Sequence, residues 1–552
     1  MSEPSLIRFA RLYTELDAQT ATNAKVSALK AYFADADAAD AAWAVYFLAG
    51  GKPRQTVQTR LLREIATRAA GLPDWLFEES YQAVGDLAET IAHVLPAGQG
   101  DDAAGLAEWI EQRLLPLRGL GPAEIEARLL CYWGVLDWQG RFLLTKLIGG
   151  GFRVGVSKLL VTRALAEHAG LDPKVVAQRM MGYTDGRMAP TPAHFERLVA
   201  EGHDGPLEAG APYPFFLAHQ LTDLAVLGAP GDWQVEWKYD GIRAQVVRRA
   251  AQTWIWSRGE ELVTERFPEI VAACAGLAEG SVLDGEILVW QPDARRHGAP
   301  APFALLQQRI GRKTLTKTVL ADAPVAFMAY DLLELAAADL RPSHQFERRG
   351  ALENLLALHP HAGLLLSPRV HAADWAGFAS LRAESRARGV EGLMLKHRQS
   401  AYGTGRTRES GLGWQWKVDP LSVDCVLVYA QAGHGRRASL YTDYTFAVWS
   451  GGGSERKLVP FAKAYSGLTD AEFRAVDAVI RKTTIEKFGP VRSVTPSLVF
   501  ELGFEGIQKS PRHKSGIAVR FPRILRLRGD KKVDEADTLE RLQALLAVDS
   551  PR

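Results

Sequence analysis

The feature that most constrains this chain is a change of hydrophobic period near residue 205. Upstream, "AAWAVYFLAG", "RLLREIATRAAG" and "AEIEARLLCYWGVLD" carry apolar residues at helical spacing, with Gly or Pro near their ends. From Gly202, "GHDGPLEAGAPYPFFLAHQL" is rich in Gly and Pro and reads as a linker. Downstream, "SVLDGEILVW", "APVAFMAYDLLE", "VEGLMLKH", "VDCVLVYAQAG" and "YTFAVWSGGG" are short strand-like runs, several with polar residues inside them. The tail from Pro496 reads as strand and loop, then a helix over "TLERLQALLA". No internal repeat or low-complexity tract is present. At 552 residues the chain is too long for one domain. The expectation is a multidomain protein: an all-α domain over 1–205, an α+β domain over 206–418 and a small β domain over 419–552.

Composition narrows the function classes. With 47% hydrophobic and 24% charged residues the chain is an ordinary globular one. Its net charge of +2 means that any affinity for nucleic acid must come from local patches. Three cysteines, Cys131, Cys274 and Cys425, lie far apart, which argues against a disulfide framework and a four-cysteine zinc site. A reducing, cytoplasmic compartment is expected. The start, "MSEPSLIRFARLYTELD", lacks the apolar core of a signal peptide, and no run of eighteen apolar residues predicts a membrane span.

Several short stretches place charge among apolar residues. In "VEWKYDGIRAQ", strand alternation puts Glu236, Lys238 and Asp240 on one face and Trp237 and Tyr239 on the other. The charged face is either a solvated edge, with "DG" closing a hairpin, or the floor of a site. A lysine amine is a good nucleophile once deprotonated. In "VLDGEILVW", Asp284 and Glu286 share a strand face; facing inward they need a cation, a metal or a ligand hydroxyl, and facing outward they need nothing. In "GVEGLMLKH", Glu391 and Lys396 are five apart, so alternation places them on opposite faces unless the strand bends or one acts from its end. Tyr330 in "FMAYDLLE" offers a ring for stacking on a base, or for packing in a core. Residues 509–532 hold nine Lys or Arg against one acid, Asp530, interleaved with apolar residues, as in a packed β element with a cationic side. In "IGGGFRVGVSKLL", Gly149, Gly150 and Gly151 precede Arg153, and Ser157 can cap the following helix. Val156 and Ser157 stand where a Walker A loop requires Lys then Ser or Thr, so the stretch is a capped helix connection or a nucleic-acid contact.

The ordered set "KYDGIR", "SRGEE", "VLDGEI", "FMAYD", "VEGLMLK", "WQWKVD" and "RFPRILRLRGDK" resembles the motif series of ATP-dependent DNA ligases, which are covalent nucleotidyltransferases. The resemblance covers nearly the whole chain. It implies a helical DNA-binding domain, an adenylation domain and a C-terminal OB-fold β-barrel. It implies ATP as cofactor with Mg2+, for which Mn2+ can substitute, and nicked double-stranded DNA as the partner of a monomer. By the resemblance, Lys238 attacks the α-phosphate of ATP and becomes lysyl-AMP. Glu236 contacts the adenine amine and Tyr330 stacks on the base, where relatives often have Phe. Arg243 and Arg258 hold ribose and phosphate charges. Glu286 contacts ribose or a metal, and Glu391 is a metal-binding carboxylate. Lys396 and Lys417 contact phosphates or the base, and Arg406 in "YGTGRTRESG" approaches the AMP. Arg520, Arg523, Asp530 and Lys531 match the last motif, which orients pyrophosphate. One departure stands out: the family motif near 415 has two lysines separated by one residue, and in "WQWK" Gln415 replaces the first.

Other readings share parts of this series. An NAD-dependent DNA ligase normally carries a four-cysteine zinc element that three cysteines cannot supply. An mRNA capping enzyme lacks the long helical N-terminal domain. An RNA ligase differs in 2′-hydroxyl contacts that motifs do not reveal. A non-catalytic nick-binding or end-bridging module would be free to lose Lys238.

Overall fold

The computed structural model describes residues 5–52, 55–99, 102–149, 152, 154–184, 189–201, 210–290, 300–312, 314–406, 412–433, 440–511 and 513–549. Residues 202–209 of the expected linker, Gly150, Gly151 and Arg153 of the glycine-rich loop, and 407–411 of "YGTGRTRESG" lie outside them. The chain divides into two compact units, Met1–Gln58 with Gln99–Val418, and Thr59–Gly98 with Asp419–Arg552.

The first unit begins with helices. Ala38–Leu48, "AADAAWAVYFL", is apolar on all sides and buried from Asp40 to Leu48, as a central helix must be. It packs on Pro192–Val199, and Thr22–Asp35 packs on Lys158–Ala169. The last helix is bounded as its sequence suggests. Ser157 Oγ accepts from Leu160 N–H at 3.3 Å, and Gly170 ends the helix at φ 67°.

Two sheets follow in the same unit. One has the order Gln252–Ser257, Ile242–Arg249, Ser281–Val289, Val325–Leu335, Ala338–Asp339, with Leu364–Leu366 pairing parallel to Val325–Leu335. The other has the order His219–Gln220, Gly413–Lys417, Gly392–His397, Trp233–Lys238, Arg369–Val370. Each sheet alternates between a core face and a polar face. Leu283, Ile287, Phe327 and Ala329 pack on Phe267, Leu306 and Leu352 from the helices, which frees Asp284, Glu286 and Tyr330 for the other side. In the second sheet Val235, Leu393, Leu395, Trp414 and Trp416 form the core, which turns Glu236, Lys238, Met394, Lys396 and Gln415 the opposite way. Among the described residues the three cysteines are free thiols, and no helix is long and apolar enough to cross a membrane.

The second unit is built around Leu421–Ala432. This strand pairs antiparallel with Tyr441–Ser450 along one edge; its other edge meets Val499–Phe504 and then Val491–Val494. Lys457–Ala464, Thr484–Phe488 and Arg523–Leu527 complete the sheet, and Gly506–Lys509 pairs with Ile517–Arg520. The helix Asp470–Thr483, which the strand-oriented reading of this region missed, buries Phe473, Val476 and Ile480 in the same core as Tyr444 and Phe500. Its signal was present as Thr469 and Glu472, which form a capping box. The tail helix runs over Leu539–Asp549.

Candidate active site

The stretch "VEWKYDGIRAQ" connects the two sheets. Trp233–Lys238 and Ile242–Arg249 do not pair with each other, so "DG" closes no hairpin. The chain crosses between sheets over residues 239–241. Gly241 allows the crossing, because a Cβ there would sit 2.4 Å from the Ile287 carbonyl oxygen. Tyr239 is buried with Leu288, Met328 and Val390, and fixes the crossing from its apolar side. The polar faces of both sheets then line one pocket. Its walls include Glu236, Lys238, Arg243, Arg258, Glu286, Tyr330, Lys396 and Arg406, all expected site residues, together with Gln415.

At one end, Lys238 Nζ donates to the Glu391 carboxylate. Glu391 stands just ahead of the strand Gly392–His397, so it acts from the strand end while Lys396 acts from the strand face. Gly392 makes this approach possible: its φ is 140°, and a Cβ would lie 2.3 Å from the Trp416 carbonyl oxygen. Lys417 Nζ is 3.8 Å from the same Glu391 oxygen, outside the pocket lining.

At the other end, Glu236 is 1% exposed yet saturated with donors. It accepts from Ser367 Oγ at 3.0 Å, Arg349 Nη1 at 3.4 Å and Lys396 Nζ at 3.2 Å, and from Gln234. Lys396 also donates to the Tyr330 carbonyl at 2.9 Å and lies 4.4 Å from that ring's centroid.

Between them, Arg243 grips the fully buried Asp284 with two nitrogens, at 3.2 and 2.7 Å, and donates to the Phe216 carbonyl at 2.6 Å. The Tyr402 hydroxyl donates to Asp284 at 2.6 Å. Arg243 is therefore committed to the protein, whereas Arg258 and Arg406 make no side-chain hydrogen bond or ion pair among the described residues. These two are the pocket's available cations.

Charge is tuned by burial. Desolvation pushes the Glu286 carboxyl up to about 8, against the pull of Lys238 and Arg243. Desolvation also raises the Tyr330 phenol, which Arg243 opposes. At Asp331 burial works upward, but Arg348 outweighs it and holds the carboxyl below its ordinary range.

Asp284 belongs to a singled-out motif, but its bond to Arg243 was not anticipated; Tyr402, Arg348, Arg349 and Ser367 were missed altogether. A signal existed for two of them. Gln345, Arg348, Arg349 and Leu352 repeat at i, i+3, i+4 and i+7 and are all buried, so polar residues occupy the apolar stripe of Gln345–Leu358. Arg520, Arg523, Asp530 and Lys531 lie in the second unit and are not among the lining residues. There Lys531 Nζ bonds Asp424 at 2.5 Å, and Asp530 is bound by Arg528 at 2.7 Å.

Comparison with known proteins follows the same layout. Three family profiles match in chain order: "DNA ligase N terminus" over 5–166, "ATP dependent DNA ligase domain" over 216–416 and "ATP dependent DNA ligase C terminal region" over 437–531. A "Probable DNA ligase" of Koribacter versatilis is 30% identical over 94% of this chain and 93% of its own length. A "Probable DNA ligase" of Streptomyces avermitilis is 30% identical over 98% of both chains. A "DNA ligase" of Methanothrix thermoacetophila is 29% identical over 97% of both. The solved structure "Pmar-Lig_PreS3" shares the fold with a TM-score of 0.61 at 15% identity, over 94% of this chain and 99% of that one. With these relatives along its whole length and the three profiles in order, the chain belongs to the ATP-dependent DNA ligases.

Proposed function

We propose that this ligase seals nicks in double-stranded DNA through two covalent adenylates, with Lys238 as nucleophile. The observation that carries the reading is the position of Lys238 on the pocket floor, bonded to Glu391, with Glu236 and Tyr330 at the far end. Lys238 Nζ attacks the α-phosphorus of ATP as the free amine and releases a proton as the N–P bond forms, while the bond to the β-phosphate breaks and pyrophosphate leaves. The 5′-phosphate at the nick then displaces the lysine, which regains its proton, and the 3′-hydroxyl displaces AMP. The phosphoramidate splits one hard displacement into easier ones.

Glu236, oriented by Ser367 and Arg349, accepts from the adenine amine, and Tyr330 offers its ring to the base. Lys396 is fixed beside that ring, where it contacts base or phosphate. Arg258 and Arg406 take phosphate charge. Arg243 acts indirectly, by holding Asp284 and the polar face of the sheet. Lys417 supplies a cation beside Glu391, two residues beyond the neutral Gln415.

Mg2+ fits this set. No cluster of three or more His, Cys, Asp or Glu capable of holding a metal occurs among the described residues. Mg2+ is commonly bound by one or two carboxylates together with substrate phosphates. Glu391, beside Lys238, and Glu286, on the pocket wall, are the residues that would hold it. When bound, Mg2+ screens the phosphate charges and stabilises charge on the leaving group. The domains follow as a helical DNA-binding domain to about residue 205, an adenylation domain to 418 and an OB-fold beyond. The sheet around Leu421–Ala432 with its helix Asp470–Thr483 supports the last of these. A monomer suffices for this chemistry.

ATP labelled at the α-phosphate tests the reading. The protein should retain acid-stable AMP, Lys238→Ala should not, and Lys238→Arg should also fail because a guanidinium stays protonated. Undiminished labelling of either variant would remove Lys238 from the role.

A further inference from the structure

Lys158 opens the helix Lys158–Ala169, the end where the helix dipole favours anions rather than cations. Its ammonium is instead committed elsewhere, to the Met180 carbonyl at 2.8 Å and to the carboxylate of Glu260, 102 residues away in the turn that follows the strand Gln252–Ser257. Only 24% of the Lys158 side chain and 17% of the Glu260 side chain are exposed, so solvent screens the pair weakly. Burial lowers the Lys158 ammonium and Glu260 opposes that, so the cation depends on its partner.

Glu260 sits in the tight turn that carries Arg258. The turn is pinned to the sheet by Arg258 N–H to the Arg243 carbonyl at 2.9 Å, Glu260 N–H to the Ser257 carbonyl at 2.8 Å and Ser257 N–H to the Glu261 carbonyl at 2.9 Å. Glu260 itself has φ 63°, a backbone region that non-glycine residues keep only when their surroundings impose it. The helical part comes close beside it: a Cβ on Gly182 would be 3.1 Å from the Trp256 ring. Arg258 projects from this turn into the pocket without a side-chain partner among the described residues. An unpaired guanidinium has no anchor of its own, and its aim is set by the turn.

We infer that Lys158 is a positioning residue for Arg258: the Lys158–Glu260 ion pair lets the helical part fix the turn that aims Arg258 at the reacting phosphates. The inference rests on the reading of the pocket given above. It explains why a lysine stands where the helix prefers an acid, and why the stretch "VGVSK" matters beyond its capping serine.

The test measures AMP transfer to the enzyme and sealing of a nicked duplex on the full chain. The variants are Lys158→Met, Glu260→Gln, Arg258→Ala and the double variant Lys158→Met/Arg258→Ala. Misplacing a charged group by about 1 Å costs roughly ten- to a hundredfold. Lys158→Met and Glu260→Gln should each slow by that much whichever step Arg258→Ala slows. Lys158→Met should cost nothing further in the Arg258→Ala background, because Lys158 acts only through that arginine. Lys158→Arg should recover most of the rate. Should Lys158→Met fold poorly, Glu260→Gln, which keeps size and shape, carries the same test. Equal losses in both backgrounds, or rates unchanged while only the melting temperature falls, would overturn the inference. An Arg258→Ala protein with full activity would instead sink the reading of the pocket, and the inference with it.

Discussion

The side chain of Lys238 is bonded to that of Glu391, and the Glu391 backbone N–H returns to the Lys238 carbonyl at 2.7 Å. Two residues 153 apart in sequence thus share both a side-chain and a main-chain bond. The main-chain bond fixes where the carboxylate starts, and the side-chain bond fixes where the amine ends. Glu391→Ala should leave the fold intact, since Glu391 lies at a strand end, but leave Lys238 and Lys417 without their common acceptor. Loss of such a charge contact slows a phosphoryl step by roughly a hundredfold or more. Single-turnover formation of lysyl-AMP measures it, and a loss smaller than about threefold would mean that Glu391 merely packs the strand end.

Arg243 and Arg258 line the same pocket and should fail in different ways. Arg243 neutralises Asp284, which is 0% exposed, so Arg243→Met strands a buried carboxylate. Breaking a buried pair from one side costs about 3–5 kcal/mol. Arg258 has no side-chain partner among the described residues, and its replacement by Met should change stability by about 0.5 kcal/mol or less while lowering turnover. Calorimetry beside a sealing assay separates the two. Equal destabilisation by both variants would contradict the division of labour.

Much of this architecture was legible in the sequence, for a physical reason. Period-two alternation in "VEWK", "LDGEI" and "LMLK" marks a face, and Glu236, Lys238, Asp284, Glu286 and Lys396 all fall on the pocket side of their strands. Long-range pairing leaves no such mark. Nothing near Lys238 announces Glu391, and nothing in "ERR" says that Arg349 reaches Glu236 from a helix. Of the two readings that "DG" left open, the hairpin is not the one adopted, because its glycine serves a close approach to Ile287 rather than a turn.

The buried Asp331–Arg348 pair gives a pH signature. Arg348 donates to both Asp331 oxygens, at 2.8 and 3.0 Å, and holds that carboxyl below its unfolded value. A depressed carboxylate contributes stability that is present above the unfolded value, near 3.9, and is lost as pH falls through the folded one. Arg348→Met removes that contribution and leaves burial to push Asp331 upward. At neutral pH the variant should be about 3–5 kcal/mol less stable. The gap should narrow as pH falls, first as the variant's raised carboxyl protonates and then, below about 4, as the wild-type pair loses its contribution. Denaturation midpoints across that range would show it, and a gap that widens in acid would reverse the assignment.

The cations of the last motif divide in the same manner. Within the second unit Lys531 and Arg528 are tied to Asp424, at 2.5 and 2.9 Å. Arg523 opens the strand Arg523–Leu527, is exposed, and makes no side-chain bond among the described residues. A free arginine can serve the β- and γ-phosphates, and that service is needed only while ATP is the substrate. Once AMP is attached, pyrophosphate is gone. Arg523→Ala should therefore slow adenylation of the enzyme by roughly a hundredfold while largely sparing the sealing of a nick that already carries 5′-AMP. Lys531→Ala should chiefly lower the melting temperature, because Asp424 loses one of its two cations. Both reactions measured on the same Arg523→Ala protein decide the matter: equal losses in the two would assign Arg523 to general DNA binding rather than to the leaving pyrophosphate.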